Sequence, residues 1–139
     1  MNKIGEIKNL CKNYYTKDKE IEAIKNISLD IYDGEFLVIV GPSGCGKSTL
    51  LNIIGNIDNK SSGEIIFNNN TVIGYMLQND CLFPWLTILD NCLLGLKINN
   101  LLNTDNINYV KKLINEYGLS EFIHSYPSSL SGGMKQRVG

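Results

Sequence analysis

The chain has little that would set it apart by bulk composition. It carries a single histidine, His124, so no imidazole pair exists to hold a metal or relay a proton. Its net charge is only −1, with the basic residues scattered, which leaves no electrostatic footprint for nucleic acid. No run of eighteen apolar residues is present to span a bilayer, and no charged-then-apolar leader opens the sequence. The four cysteines, Cys11, Cys45, Cys81 and Cys92, follow neither metal-ligand nor disulfide spacing, so a reducing compartment is expected. Internal repeats are absent, and Asn68–Asn70 is the only low-complexity spot, read as a turn. The length of 139 residues suits one domain.

What is there concentrates around residue 45. Phe36–Val40 is a continuous apolar run, expected as a buried strand, and it leads into Gly41-Pro42-Ser43-Gly44-Cys45-Gly46-Lys47-Ser48-Thr49. The spacing Gly41-x-x-x-x-Gly46-Lys47-Ser48 is that of a phosphate-binding loop between a strand and a helix. Consecutive backbone N–H groups in such a loop line a concave anion site, and the helix expected from about Lys47 adds its positive end. Lys47 supplies a full charge for β- and γ-phosphates and Ser48 a hydroxyl for Mg²⁺. The glycines allow close backbone approach. Cys45 lies within this loop, so bound nucleotide should shield it from alkylation.

A second element lies near the end. Leu130-Ser131-Gly132-Gly133-Met134-Lys135-Gln136-Arg137 follows the turn Pro127-Ser128-Ser129. Ser131 is a good N-cap for a helix from Gly132, and glycines at its first positions leave the N–H groups unobstructed, a second candidate anion site. Together the two segments resemble the ATP-binding-cassette family, whose signature begins Leu-Ser-Gly-Gly-Gln; here Met134 stands at the glutamine position. The resemblance implies an α/β P-loop NTPase fold of the ABC nucleotide-binding type, with an antiparallel β layer, a partial RecA-like core and a helical subdomain. It places the β layer and P-loop core in residues 1–80 and the helical subdomain in 81–139. It implies ATP and Mg²⁺ as ligands, and Ser131, Gly132 and Gly133 closing on the γ-phosphate of a nucleotide held by a second subunit.

Three further segments fit the same family. Gln78, after the apolar run Val72–Leu77 (expected as a strand), stands where the family has a glutamine that ligates Mg²⁺ or orients the attacking water. Leu10–Tyr14 resembles the start of the cassette, where an aromatic ring stacks on adenine; Tyr14 is the choice and Tyr15 the alternative. Leu82-Phe83-Pro84-Trp85-Leu86-Thr87 is an apolar, aromatic knob ahead of a Thr87/Asp90 capping box. Pro-Trp-Leu-Thr at this place is similar to the nitrate/sulfonate/taurine-type importer ATPases. Phe83 and Trp85 would then anchor a membrane permease, or Trp85 would pack into its own subdomain.

The function implied is the ATP-binding subunit of an importer, a homodimer on the inner face of the cell membrane. A non-catalytic gene remnant and a soluble, non-transport cassette ATPase are the alternatives. An adenylate-kinase or GTPase reading leaves Leu130–Gly133 unexplained. Family domains run roughly a hundred residues further. No acidic motif after a later apolar strand, no neighbouring glutamate and no later histidine follows the signature here, so truncation and negligible hydrolysis by this chain alone are expected. Elsewhere, strands are expected at 3–10, 21–32 and 64–67, and helices at 88–97 and from a Thr104 N-cap through Ile107, Val110, Ile114 and Tyr117 to Gly118.

Overall fold

The computed structural model describes residues 2–69 and 71–139; Asn70, in the expected Asn68–Asn70 turn, lies outside the described residues. The chain divides into two compact units, Met1–Tyr75 and Met76–Gly139.

The first unit is built on three strands, β1 (Lys3–Tyr15), β2 (Glu20–Tyr32) and β3 (Ser62–Phe67). They form one antiparallel sheet in the order β2-β1-β3. The expected antiparallel layer is present, and β1 runs on to Tyr15. Its hairpin is closed by Thr16 and Lys19, where both the backbone N–H and the hydroxyl of Thr16 donate to the Lys19 carbonyl. That closure carries Tyr14 and Tyr15 into regular pairing with Ile21 and Glu20. Helix α1 (Lys47–Ile54) lays Leu50 and Ile53, three residues apart and so on one face, against Ile7, Leu10 and Ile24 of the sheet. Burial of each such side chain is worth about 1.5–3 kcal/mol.

Two expected strands are not strands. Phe36–Val40 and Val72–Leu77 form neither strand nor helix. Phe36 is 93% exposed and Val72 91%; only Ile39 of the first run packs on the core. An apolar run becomes a strand only when a neighbour supplies N–H and C=O groups in register, and no described strand lies alongside either segment. Tyr75 does reach α1, its hydroxyl donating to the Asn52 amide oxygen.

The second unit is helical: α2 (Ile88–Ile98), α3 (Thr104–Glu116) and α4 (Gly132–Val138), with short 3-10 turns at Ser120–Phe122 and Pro127–Ser129. The Thr87 hydroxyl caps α2, accepting from the Asp90 N–H at 3.1 Å and donating to the Asp90 carboxylate at 2.7 Å. The N-cap of α3 is Asn103, one residue before the expected Thr104. Its extended backbone and short amide let Oδ1 accept from the Asn106 N–H at 2.8 Å. At the other end Gly118 takes φ 69°, Gly118 N–H donates to Asn115 and Leu119 N–H to Ile114. This is a Schellman closure, and it buries Leu119. Ile107, Val110 and Ile114 face inward as expected, but Tyr117 sits at the C-cap and is exposed.

Candidate nucleotide site

The phosphate-loop sequence folds as a loop followed by a helix start. Gly44 and Gly46 have φ of 80° and 95°, values that side chains resist. Gly46 is doubly constrained, because a Cβ there would lie 2.4 Å from the Ala23 carbonyl oxygen of β2. The loop is thus pressed against the sheet, and only glycine allows it. Gly46 is also the N-cap of α1, with no side chain to accept from the first-turn N–H groups and no acidic residue in that turn. The positive end of α1 is therefore not neutralised by the protein. The Lys47 ammonium folds across the loop, donating to the Gly41 carbonyl at 2.8 Å and the Pro42 carbonyl at 2.7 Å, with Cys45 Sγ 3.6 Å away. Gly41, Ser43, Cys45 and Ser48 are exposed and Thr49 is half-buried, so Ser43 and Ser48 present hydroxyls on the open side.

Beside this loop stands Tyr14. Its hydroxyl donates to Asp58 Oδ2 at 2.6 Å, and Lys12 lies over its ring at 4.6 Å from the centroid. Lys12 is itself buried, pairing with Asp58 Oδ1 at 2.7 Å and donating to the Asn59 carbonyl at 2.6 Å. The hydrogen bonds from Lys12 and then Tyr14 hold the Asp58 carboxyl down at about 2. The same bond to Asp58, with some burial, raises the Tyr14 phenol above its ordinary value. Tyr15, the alternative, is 75% exposed. Nothing in the residue spacing signals Lys12 and Asp58. Lys12 is on β1 and Asp58 in the segment between α1 and β3, and only folding brings them together.

In the second unit Gln78 lies exposed in a bend rather than at a strand end. Ser131 caps α4 as expected, accepting from the Met134 N–H at 3.4 Å, with Gly132 and Gly133 exposed in the first turn. Arg137 fixes α4 to the end of α3 by donating to the Tyr117 carbonyl at 2.8 Å. Phe83 and Trp85 pack edge to face at 5.3 Å, and Trp85 is 68% exposed, so it does not pack into the helical core. Their loop is held by a residue the sequence reading passed over. The Asn91 amide accepts from the Phe83 N–H and donates to the carbonyls of Phe83, Leu86 and Thr87. His124 is exposed, and all four cysteines are free. No group of three or more His, Cys, Asp or Glu suited to a metal occurs among the described residues.

The family model described as ABC transporter matches residues 24–139, spanning both the loop before Lys47 and the Ser131 helix. The chain belongs to the ABC transporter family. An uncharacterized ABC transporter ATP-binding protein of Methanocaldococcus jannaschii is 38% identical over 96% of this chain and 52% of its own length. The aliphatic sulfonates import ATP-binding protein SsuB of Bacillus anthracis is 36% identical over 95% of this chain and 54% of its own. Among solved structures, the ATP-binding cassette MJ0796, a dimer in a post-hydrolysis state bound to ADP and Pi, superposes with a TM-score of 0.84. It is 34% identical, and the match covers 97% of this chain and 66% of that one. The fold is that of a P-loop ABC cassette in part, and the chain spans about half the length of the curated relatives it matches.

Proposed function

We propose that these residues carry the nucleotide-binding part of the ATP-binding subunit of an ABC importer. The observation that supports this best is the convergence of the Lys47 ammonium, the uncapped start of α1 and the left-handed Gly44 and Gly46 on one loop. In this reading the β- and γ-phosphates of ATP displace the Gly41 and Pro42 carbonyls from Lys47, exchanging neutral acceptors for anionic ones. Gly41, Ser43, Gly44, Cys45, Gly46 and Thr49 cradle the same phosphates. Tyr14 takes the adenine.

Mg²⁺ fits this donor set. It favours one or two protein oxygens plus substrate phosphates over an all-protein cage. The exposed Ser48 hydroxyl, with Gln78 in the whole assembly, would hold it, and it would neutralise charge on the transferred phosphoryl group. Gln78 would also orient the attacking water. Ser131, Gly132 and Gly133 of a second copy would close over the γ-phosphate. Affinity for ATP that is greater in the closed dimer than in the open one would drive a membrane permease between its two faces. The subunit would then sit at the cytoplasmic face of the membrane; no helix among the described residues is long and apolar enough to cross it.

For the solute, we favour the nitrate/sulfonate/taurine class. Percentage identity does not choose, since a spermidine/putrescine import protein of Thermotoga maritima matches at 36%, as SsuB does. The Pro84-Trp85-Leu86-Thr87 stretch carries the preference, with Phe83 and Trp85 as the exposed anchors for the permease.

The test is ATP binding and hydrolysis by the 139-residue chain and by Lys47→Ala, with circular dichroism on both. Lys47-dependent binding without turnover is expected, because Gln78, the residue assigned here to the attacking water, can orient it but its amide is no base to activate it. Binding that ignores Lys47→Ala would refute the phosphate-loop assignment, and Lys47-dependent turnover would refute the division between binding and catalysis.

A further inference from the structure

The cluster of Lys12, Tyr14 and Asp58 is more than an ion pair beside a tyrosine. Lys12 and Tyr14 are two residues apart on β1 and share a face of the sheet. Asp58 lies beyond the end of α1, where the N–H groups of Ile57 and Asp58 both donate to the Asn52 carbonyl. Its carboxylate uses one oxygen for each partner, Oδ1 for Lys12 and Oδ2 for the Tyr14 hydroxyl. The lysine closes the triangle by lying over the ring. Three contacts therefore fix the Tyr14 ring: its hydroxyl is tethered, one face is covered by an ammonium, and its strand is paired.

Tyr14 is nonetheless 39% exposed, and with Lys12 over one face of its ring the other face is the one a ligand would meet. It is also close to the phosphate loop. Tyr14 pairs with Ile21, two residues or about 7 Å along β2 from Ala23. Ala23 is the residue whose carbonyl abuts Gly46.

Resting on the nucleotide reading above, we propose that Lys12 and Asp58 are positioning residues that lock Tyr14 with one face open to the base of a nucleotide whose phosphates occupy the loop. A ring held in place before binding loses little rotamer freedom when a base stacks on it. The ammonium on the far face is attracted to the ring's negative face and anchored by the carboxylate, so it does not compete for the stacking side. A free tyrosine would offer either face and would have to be ordered by the ligand.

The proposal separates recognition of the base from recognition of the phosphates, and two probes read them apart: ATP, and inorganic tripolyphosphate, which has no base. Both are titrated against the 139-residue chain with Mg²⁺ present. Lys12→Met should weaken ATP by about tenfold, the scale of one base–ring stack, and leave tripolyphosphate unchanged. Asp58→Asn should act in the same direction, and Lys12→Arg, which keeps both the charge and the ring contact, should restore ATP affinity. In a Tyr14→Ala background, Lys12→Met should have no further effect on the ratio of the two affinities, because the lysine acts through the ring. If Lys12→Met does not fold by circular dichroism, Asp58→Asn in the presence and absence of Tyr14 carries the same comparison.

An unchanged ATP-to-tripolyphosphate ratio in folded Lys12→Met or Asp58→Asn would overturn the proposal while leaving the phosphate site intact. So would an equal fall in that ratio with and without Tyr14. Lys47→Ala should weaken both probes; if it weakens neither, the nucleotide reading fails and this proposal fails with it.

Discussion

Helices in residues 76–139 begin and end under the control of neighbours three to five positions away, whereas the sheet of residues 2–75, away from the tight end of its β1–β2 hairpin, is held by partners tens of residues apart. In the helical unit Thr87, Asn103 and Ser131 cap the residues just after them, and Gly118 closes α3 through Asn115 and Ile114. In the sheet unit β1 pairs with β3 across more than half the unit, and Lys12 meets Asp58 46 positions away. Apolar content alone does not decide the outcome. Ile7 and Leu10 are buried in paired β1, while Phe36 and Val40, just as apolar, are exposed in an unpaired run. Local chemistry can set a helix boundary; a strand requires its partner.

That contrast can be broken or sharpened. The largest effect is expected from Leu10→Ala, which empties a fully buried site between the sheet and α1 and should cost about 2–5 kcal/mol. Amide hydrogen exchange should show protection falling across β1, β2 and α1 with α3 unaffected. Equal loosening of α3 would mean that the two units unfold as one. Thr87→Ala should cost about 1 kcal/mol, and the loss should be confined to α2 and the knob held by Asn91.

A weaker, conditional effect concerns acid. The Asp58 carboxyl is held below its unfolded value of 3.8, at about 2, by the Lys12 hydrogen bond first and the Tyr14 one second. Its stabilisation is present above pH 3.8 and is lost as pH falls towards about 2. The difference in urea stability between the wild type and Asp58→Asn should therefore be flat above that window and shrink within it. A difference that grows on acidification would contradict the clamp. Smallest of all, Lys112→Ala removes an exposed i,i+4 pair with Glu116 and should change stability by no more than about 0.5 kcal/mol.

These differences also account for what could be read from the residues alone. The Thr87/Asp90 box, the Ser131 cap and Gly118 were legible because each signal and its effect lie within one helical turn. The phosphate loop was legible because its glycines must stand at fixed offsets, and Gly46 against Ala23 shows the steric reason at one of them. The cap of α3 was misplaced by a residue because Asn103 and Thr104 are both good caps, and only backbone geometry separates them. Phe36–Val40 and Val72–Leu77 were misread because an apolar run reports affinity for a partner and not the partner's presence. Lys12 and Asp58 left no trace, since a long-range pair has no periodicity. Asn91 looked like one of many asparagines until its amide was seen to hold four backbone groups.

The two regions also supply the control for the central claim, because each carries an exposed, free cysteine: Cys45 in the phosphate loop and Cys81 in the loop after Gln78. The decisive measurement is the rate of alkylation at both thiols, followed by peptide mass spectrometry, with and without ATP and Mg²⁺. Phosphates seated between Lys47 and the start of α1 should slow labelling of Cys45 severalfold and leave Cys81 unchanged, with the protection lost in Lys47→Ala. Equal labelling of Cys45 with and without nucleotide, at saturating ATP, would contradict the assignment of this loop as the nucleotide site.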